Sequence, residues 1–370
     1  MAILAMAAAA CLPPPPPPPP APPPPPPLPN APVGQAAPSV AVDFQDARGI
    51  RAIDFPDPFI LRVDNPPAPP VSVPENPPPS RTYFAYSTGS GFVTAQVIQS
   101  TDLNHWTWVG DVFAVPGRSA WAELFGFTWA PSVLERPANP PDKRFVLYYT
   151  ARSLVPSSAG YQCIGRAVSA YPQGPFTDDN AGPLVCTPDR GGSVDPNPIV
   201  VDGAVYLLWQ SHGILPAGEP PRLWSVPLTP DGLAIAGAHS LLLTVQDGSF
   251  ESPVIEGPSM MPAPGGGFLL FYSANLWRTA DYKVAVAWCQ TPSGGCARLY
   301  ATPLVATIGS MAGPGGESVF QDANGSWFMA FHAWTAPFID YVVAFDSRYA
   351  RSLRILPISF PSGDHYPKVG

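Results

Sequence analysis

Charge is scarce in this sequence: only 12% of its 370 residues are Asp, Glu, Lys or Arg, about half the usual share. The charges present, 19 basic against 27 acidic, form no basic cluster, so the electrostatic footprint of a nucleic-acid binder is missing. No run of ~18 apolar residues occurs, and no membrane-spanning helix is expected. Cysteine is limited to five residues, none in a Cys-x-x-Cys arrangement, which gives a structural zinc site no support. Long helical periods are absent too. Most of the 55 prolines lie beyond residue 40, where they would break helices anyway.

Aromatic side chains are plentiful, with 10 Trp, 13 Tyr and 19 Phe. A surface low in charge and rich in rings suits a neutral, ring-shaped ligand. Four cysteines fall into two close pairs, Cys163 with Cys186 and Cys289 with Cys296. They suggest two local disulfides and therefore a secreted, extracellular protein. Cys11 is the odd one out. It ends an apolar start, Met1 to Cys11, that lacks the basic residues of a usual signal peptide but fits a trimmed or lipoprotein-type one. Residues 12–40 are dominated by proline, with Pro13 to Pro20 and Pro22 to Pro27 unbroken. This composition predicts a disordered, solvated polyproline II spacer. The expected organisation is a signal-like start and linker over 1–40, followed by one domain over 41–370.

That domain reads as all-β. Short aromatic and β-branched runs recur between Gly, Pro, Asn and Asp: Tyr83 to Ser87, Phe145 to Thr150, Val205 to Trp209, Phe268 to Ser273 and Trp327 to Phe331. Each follows a small or acidic residue joined to proline, namely Asp57-Pro58, Ala130-Pro131, Asp195-Pro196, Gly257-Pro258 and Gly313-Pro314. The prolines are 73, 65, 62 and 56 residues apart. Five self-similar units of about four strands predict a five-bladed β-propeller. Proline suits the start of a strand, where a missing donor is tolerated. A β-sandwich would not explain five matched starts. In a propeller the innermost strands begin around the axis, so residues just before these prolines should converge on one mouth.

Two of those residues are Asp57 and Asp195, and Glu256 immediately precedes the fourth start. Singly, Asp before Pro reads as a turn whose carboxylate caps backbone donors. Three carboxylates at equivalent starts of separate blades instead invite acid–base chemistry, because crowding raises the pKa of at least one. Glycoside hydrolysis needs such a set: a protonated acid for the leaving oxygen and an ionised base for water.

The motifs resemble those of glycoside hydrolase family 43. Phe55-Pro-Asp-Pro-Phe-Ile60 is similar to the family segment carrying the general base, which implies that role for Asp57. Trp129-Ala-Pro-Ser-Val133 resembles its second-blade motif. Val194-Asp-Pro-Asn-Pro-Ile199 resembles the segment whose aspartate tunes and orients the acid, here Asp195, and Val254-Ile-Glu-Gly-Pro-Ser259 the segment carrying the general acid, here Glu256. Ala280-Asp-Tyr-Lys-Val284, Gly313-Pro-Gly-Gly-Glu-Ser-Val319 and Phe331-His-Ala-Trp334 add matches in order. Five-bladed fructosidases carry other segments, none of which occurs here in order.

The resemblance implies inversion by direct attack of water, with base and acid ~6.5–9.5 Å apart. Its implied substrates are pentose glycosides of plant cell-wall polysaccharides, α-L-arabinofuranosides first, with β-xylosidase or endo-arabinanase activity, or a non-catalytic sugar-binding propeller, as alternatives. No cofactor is required for the proton transfers. Many members carry a fifth-blade histidine, which helps hold a central ion in the family's arabinanases, where this chain has Gly316, which puts a calcium or sodium ion in doubt. His332 looks towards the channel, and a core histidine bonded to its neighbours is the simpler reading. Trp129, Phe59, Tyr272, Trp277 and Trp334 are candidates to stack on sugar faces. Arg354 is a candidate to reach a carboxylate or a sugar hydroxyl. The expected protein is a monomer whose partner is an arabinose- or xylose-containing oligo- or polysaccharide.

Overall fold

The computed structural model describes residues 26–39, 41–43, 54–67, 81–90, 93–113, 119–123, 128–342, 346, 348–361 and 363–370. Cys11 and the proline run up to residue 25 lie outside the described residues. The chain forms five sheets, antiparallel except for one short edge strand, arranged as the blades of a propeller. Their innermost strands are Phe59–Asp64, Trp129–Glu135, Ser193–Val201, Ile255–Pro262 and Met311–Gln321. The aromatic runs become the second strands, Arg81–Thr88, Phe145–Arg152, Ala204–Ser211, Phe268–Ala274 and Trp327–Thr335. No helix of the described residues is long and apolar enough to cross a membrane.

The second strands read as continuous apolar runs because each blade is covered on both faces. Successive side chains of a strand point to opposite faces. Phe145, Leu147 and Tyr149 accordingly pack towards the first blade, while Val146 and Tyr148 pack towards the third. One apolar cluster fills each of the five interfaces between neighbouring blades.

Among the described residues, ring closure uses no strand shared between the chain ends. All four strands of the fifth blade come from the C-terminal part of the chain. The seam with the first blade is held by Phe55 N–H on the Arg351 carbonyl (2.8 Å), Ser318 Oγ on the Pro58 carbonyl (2.8 Å) and Ala323 N–H on the Tyr83 hydroxyl (3.0 Å). The cluster of Ile60, Tyr83, Phe320 and Leu353 backs these bonds. The short strand Ala41–Asp43 runs parallel to His105–Asp111 at the outer edge of the first blade.

The expected spacer is in part fastened to the propeller. Between residues 29 and 37 the backbone meets partners of its own: Pro29 accepts from Ala301 N–H (2.8 Å), and Ala31 N–H donates to Thr302 Oγ1 (2.9 Å). Ala37 is buried in the cluster between blades four and five, and its carbonyl accepts from Arg354. The pure proline run has no donors to offer, whereas Ala31 and the residues after Pro32 restore them.

Both expected disulfides form, Cys163–Cys186 and Cys289–Cys296. The second joins directly paired residues of Lys283–Thr291 and Gly294–Arg298. Beside it, Glu251 is fully buried with a bidentate partner, Arg298, at 2.6 and 2.5 Å, and also accepts from Tyr272 Oη (2.6 Å) and Gln246 N–H (3.0 Å). Removing one member of a buried ion pair leaves the other uncompensated. Arg298→Ala should therefore cost about 3 kcal/mol of stability, read as a lower urea midpoint, while Arg298→Lys recovers only part because it cannot reproduce the two-pronged bond.

Candidate active site

The inner strands begin at the axis in a strained conformation shared by all blades. Asp57, Ala130, Asp195 and Gly257 have φ of 52°, 43°, 54° and 60°. This left-handed region costs a non-glycine residue about 1–3 kcal/mol and persists only where the surroundings fix it. In the fifth blade the sequence match is displaced by three residues. Bulges around Gly315 lengthen its inner strand, so the equivalent residue is Gly316 (φ 58°), not Gly313. Strand register shows the equivalence: Trp129 pairs with Thr150, Glu256 with Ser273 and Gly315 with His332, each just before the left-handed residue. Glu317 consequently stands where the other four blades have proline.

A ring of hydrogen bonds fixes these residues. The amide of each donates to a side chain of the preceding blade. Ala130 N–H donates to Thr88 Oγ1 (2.8 Å), Asp195 N–H to Thr150 Oγ1 (3.2 Å), Gly316 N–H to Ser273 Oγ (2.8 Å) and Asp57 N–H to His332 Nδ1 (3.0 Å). At the remaining link Gly257 N–H donates to Asp195 Oδ2 (2.9 Å). Asp195 thereby grips the peptide that follows Glu256.

These starts surround one axial hollow, to which every blade contributes, including Asp57, Asp195 and Glu317. Asp57 accepts from Thr88 Oγ1 through Oδ2 (2.5 Å), and Arg351 Nη1 lies 3.8 Å from its Oδ1. Burial raises its pKa, while Arg351 and Thr88 oppose the rise. Glu256 accepts from Tyr282 Oη through Oε1 (2.8 Å). Burial pushes Glu256 up to about 7, with the Tyr282 bond acting against that rise and the Asp57 charge adding to it. Asp195 is raised well above the usual range by burial, then by Glu256 and Asp57. Glu317, its Oε2 bonded to Ser273 Oγ (2.6 Å), is pushed up to about 8, chiefly by burial. Carboxyls crowded in this way cannot all ionise together.

Arg351 enters through an aromatic cage, its guanidinium 4.5 Å from the Trp277 ring and 5.6 Å from that of Tyr341. Asp54 anchors the cage, accepting from Arg351 N–H and Tyr341 Oη, both at 2.8 Å.

Of the sequence candidates, Phe59 lines the hollow. Trp129, part-exposed beside it, stacks on His212 at 6.4 Å and 16°, and Trp277 is part-exposed over Arg351. Trp334 is fully buried behind the cage, its Nε1 donating to the Trp277 carbonyl (3.0 Å). Tyr272 is not brought to the hollow: it lies between blades three and four, bonded to Glu251. Arg354 is not brought there either, facing Ala37 and Thr335. The Nε2 of His332 is buried with no hydrogen-bond partner among the described residues, while the rest of the His332 ring is held by its neighbours. Burial pushes its pKa well below the usual value, Nδ1 accepts from Asp57 N–H, and the ring stacks on Tyr282 at 5.8 Å and 18°.

Thr88, Tyr282, Glu317 and Arg351 are the site residues that sequence reading left unassigned. Tyr282 and Glu317 lie within motifs already singled out, and Arg351 sits three positions from the arginine chosen.

Buried carboxyls crowded around a propeller axis are the kind of set that acid–base hydrolysis uses. The chain belongs to glycosyl hydrolases family 43, whose model matches residues 69–364, and it is an inverting glycoside hydrolase. It is 26% identical over 274 residues to arabinan endo-1,5-alpha-L-arabinosidase A of Aspergillus niger, covering 68% of this chain and 77% of that protein. It is 28% identical over 268 residues to arabinoxylan arabinofuranohydrolase of Bacillus subtilis, covering 65% of this chain and 48% of that one. The fold is shared with a thermostable family-43 glycoside hydrolase at a TM-score of 0.68 and 23% identity, over 87% of this chain and 94% of that one. Asp57 precedes the span matched by the family model.

Proposed function

We propose that this protein hydrolyses α-L-arabinofuranosyl linkages of arabinan or arabinoxylan, with Asp57 as general base, Glu256 as general acid and Asp195 as the residue that orients the acid. The observation carrying this reading is the division of labour among the axial carboxyls. Burial raises Asp57, and a nearby cation and a hydroxyl donor act against that rise in favour of its ionised form. Glu256 is lifted to about 7, which keeps it protonated under mildly acidic conditions. Water loses a proton to Asp57 as its oxygen attacks the anomeric carbon. The glycosidic bond breaks with its electron pair going to the leaving oxygen, which takes the proton of Glu256. These transfers need no metal. Arabinan and arabinoxylan are the substrates printed in the names of the relatives above, and the two disulfides agree with action outside the cell. A monomer is the form proposed.

Two measurements test the reading. Nitrophenyl α-L-arabinofuranoside, nitrophenyl β-xyloside, linear arabinan and arabinoxylan are offered in parallel, and cleavage of an arabinose-bearing member is expected, at least tenfold faster than the xyloside. Loss of every activity, or a clear preference for the xyloside, overturns the substrate assignment. Proton NMR of the first product should show the β-anomer of arabinose, and initial release of the α-anomer contradicts direct attack by water. Oligomers released from linear arabinan ahead of free arabinose would mark cleavage within the chain.

A further inference from the structure

We propose that Tyr282, backed by His332, is a positioning residue that assigns the proton of Glu256 to the oxygen facing the leaving group. The inference rests on the acid role proposed for Glu256. A protonated carboxyl has one oxygen carrying hydrogen and one free to accept. Tyr282 Oη occupies Oε1 (2.8 Å), which leaves the proton to Oε2. When that proton passes to the glycosidic oxygen, the negative charge spreads onto Oε1, and the phenol bond becomes charge-assisted and stronger. Tyr282 thus favours the product of proton transfer more than its starting state, the condition for lowering the barrier.

The surroundings show that the phenol is held in place. Gly315 lies flat against the Tyr282 ring, and a Cβ there would collide with it. At Gly316 a Cβ would fall 2.5 Å from Asp57 Oδ1 and 2.6 Å from the His332 ring. The two glycines form a bed for a two-ring stack, one ring bonded to the acid and the other to the amide of the base. The stack links Asp57 to Glu256 through a rigid spacer. The other groups whose charge bears on Glu256 are Asp57 and Glu317, which favour its neutral form, and Arg351, which favours its ionised form. On the third blade, the Glu256 charge in turn raises Asp195.

Tyr282→Phe keeps the ring, the stack and the bed and removes one hydroxyl. Its kcat on an unactivated arabinofuranoside should fall about tenfold or more, the scale of a hydrogen bond to a charged group, with KM within twofold of wild type. The lost bond favoured ionised Glu256, so its pKa rises and the alkaline limb of the pH–rate profile moves to higher pH. On a 2,4-dinitrophenyl arabinofuranoside, whose leaving group departs without protonation, the loss should be much smaller. The ratio of the two losses is independent of how much of the variant is folded. Equal losses on both substrates, or an unmoved alkaline limb, overturn the proposal. A wild type that cleaves neither substrate overturns the hydrolase reading instead.

Discussion

Glu256→Gln should reduce kcat on arabinan by about 10²–10⁴, the range for loss of a general acid, and leave the thermal midpoint within a few degrees of wild type. Glutamine keeps an oxygen for Tyr282 Oη and the backbone grip of Asp195 on Gly257, so the axial geometry persists. What disappears is a proton donor. With Glu256 pushed to about 7 by burial, the wild-type rate is sustained while that group is protonated and declines as pH rises through this value. The variant should lack this decline, and its residual rate should respond steeply to the acidity of the leaving group. A variant retaining more than a tenth of wild-type kcat on arabinan would remove Glu256 from the mechanism.

The second large effect belongs to Asp57→Asn. Asparagine tolerates the left-handed backbone found at this position, and the amide bond to His332 is a main-chain contact that the substitution does not touch. The variant should fold and still bind oligosaccharide, yet lose about 10²–10⁴ in kcat because the attacking water has no base. The deficit should persist with dinitrophenyl substrates, since activating the leaving group does nothing for the nucleophile. Recovery of near-wild-type rates on such substrates would show that Asp57 acts on the leaving side, contrary to the assignment.

Much of this site is legible in the sequence because a propeller repeats one local problem. Asp57, Asp195 and Gly257 announce themselves as the residue before proline at the start of an inner strand, and the fold brings such residues to the axis. The aromatic runs of the second strands follow from blades buried on both faces. The fifth blade breaks the rule, since bulges move its axial residue to Gly316 and seat Glu317 at the proline position, a shift that only register reveals. Arg351 lies just before the strand Ser352–Ser359 and Arg354 lies within it, and they look to different sides. Nothing local says which face looks inward. Tyr272 and Tyr282 are both aromatic residues of one blade, and their separate fates depend on Glu251 and Glu256, two carboxylates that the sequence does not distinguish by depth. The docking of residues 29–37 is a matter of tertiary fit, invisible to composition.

The way the circle of blades is fastened bears on how the enzyme would fail. Asp57 belongs to the first blade, and the imidazole that holds its amide belongs to the last, so this contact spans the junction where, among the described residues, the first and last blades meet without a common strand. Any breathing that begins at this join separates the nucleophile's activator from its support before a single sheet has come apart. Catalysis should therefore report a loosening of this junction earlier than any measure of sheet content.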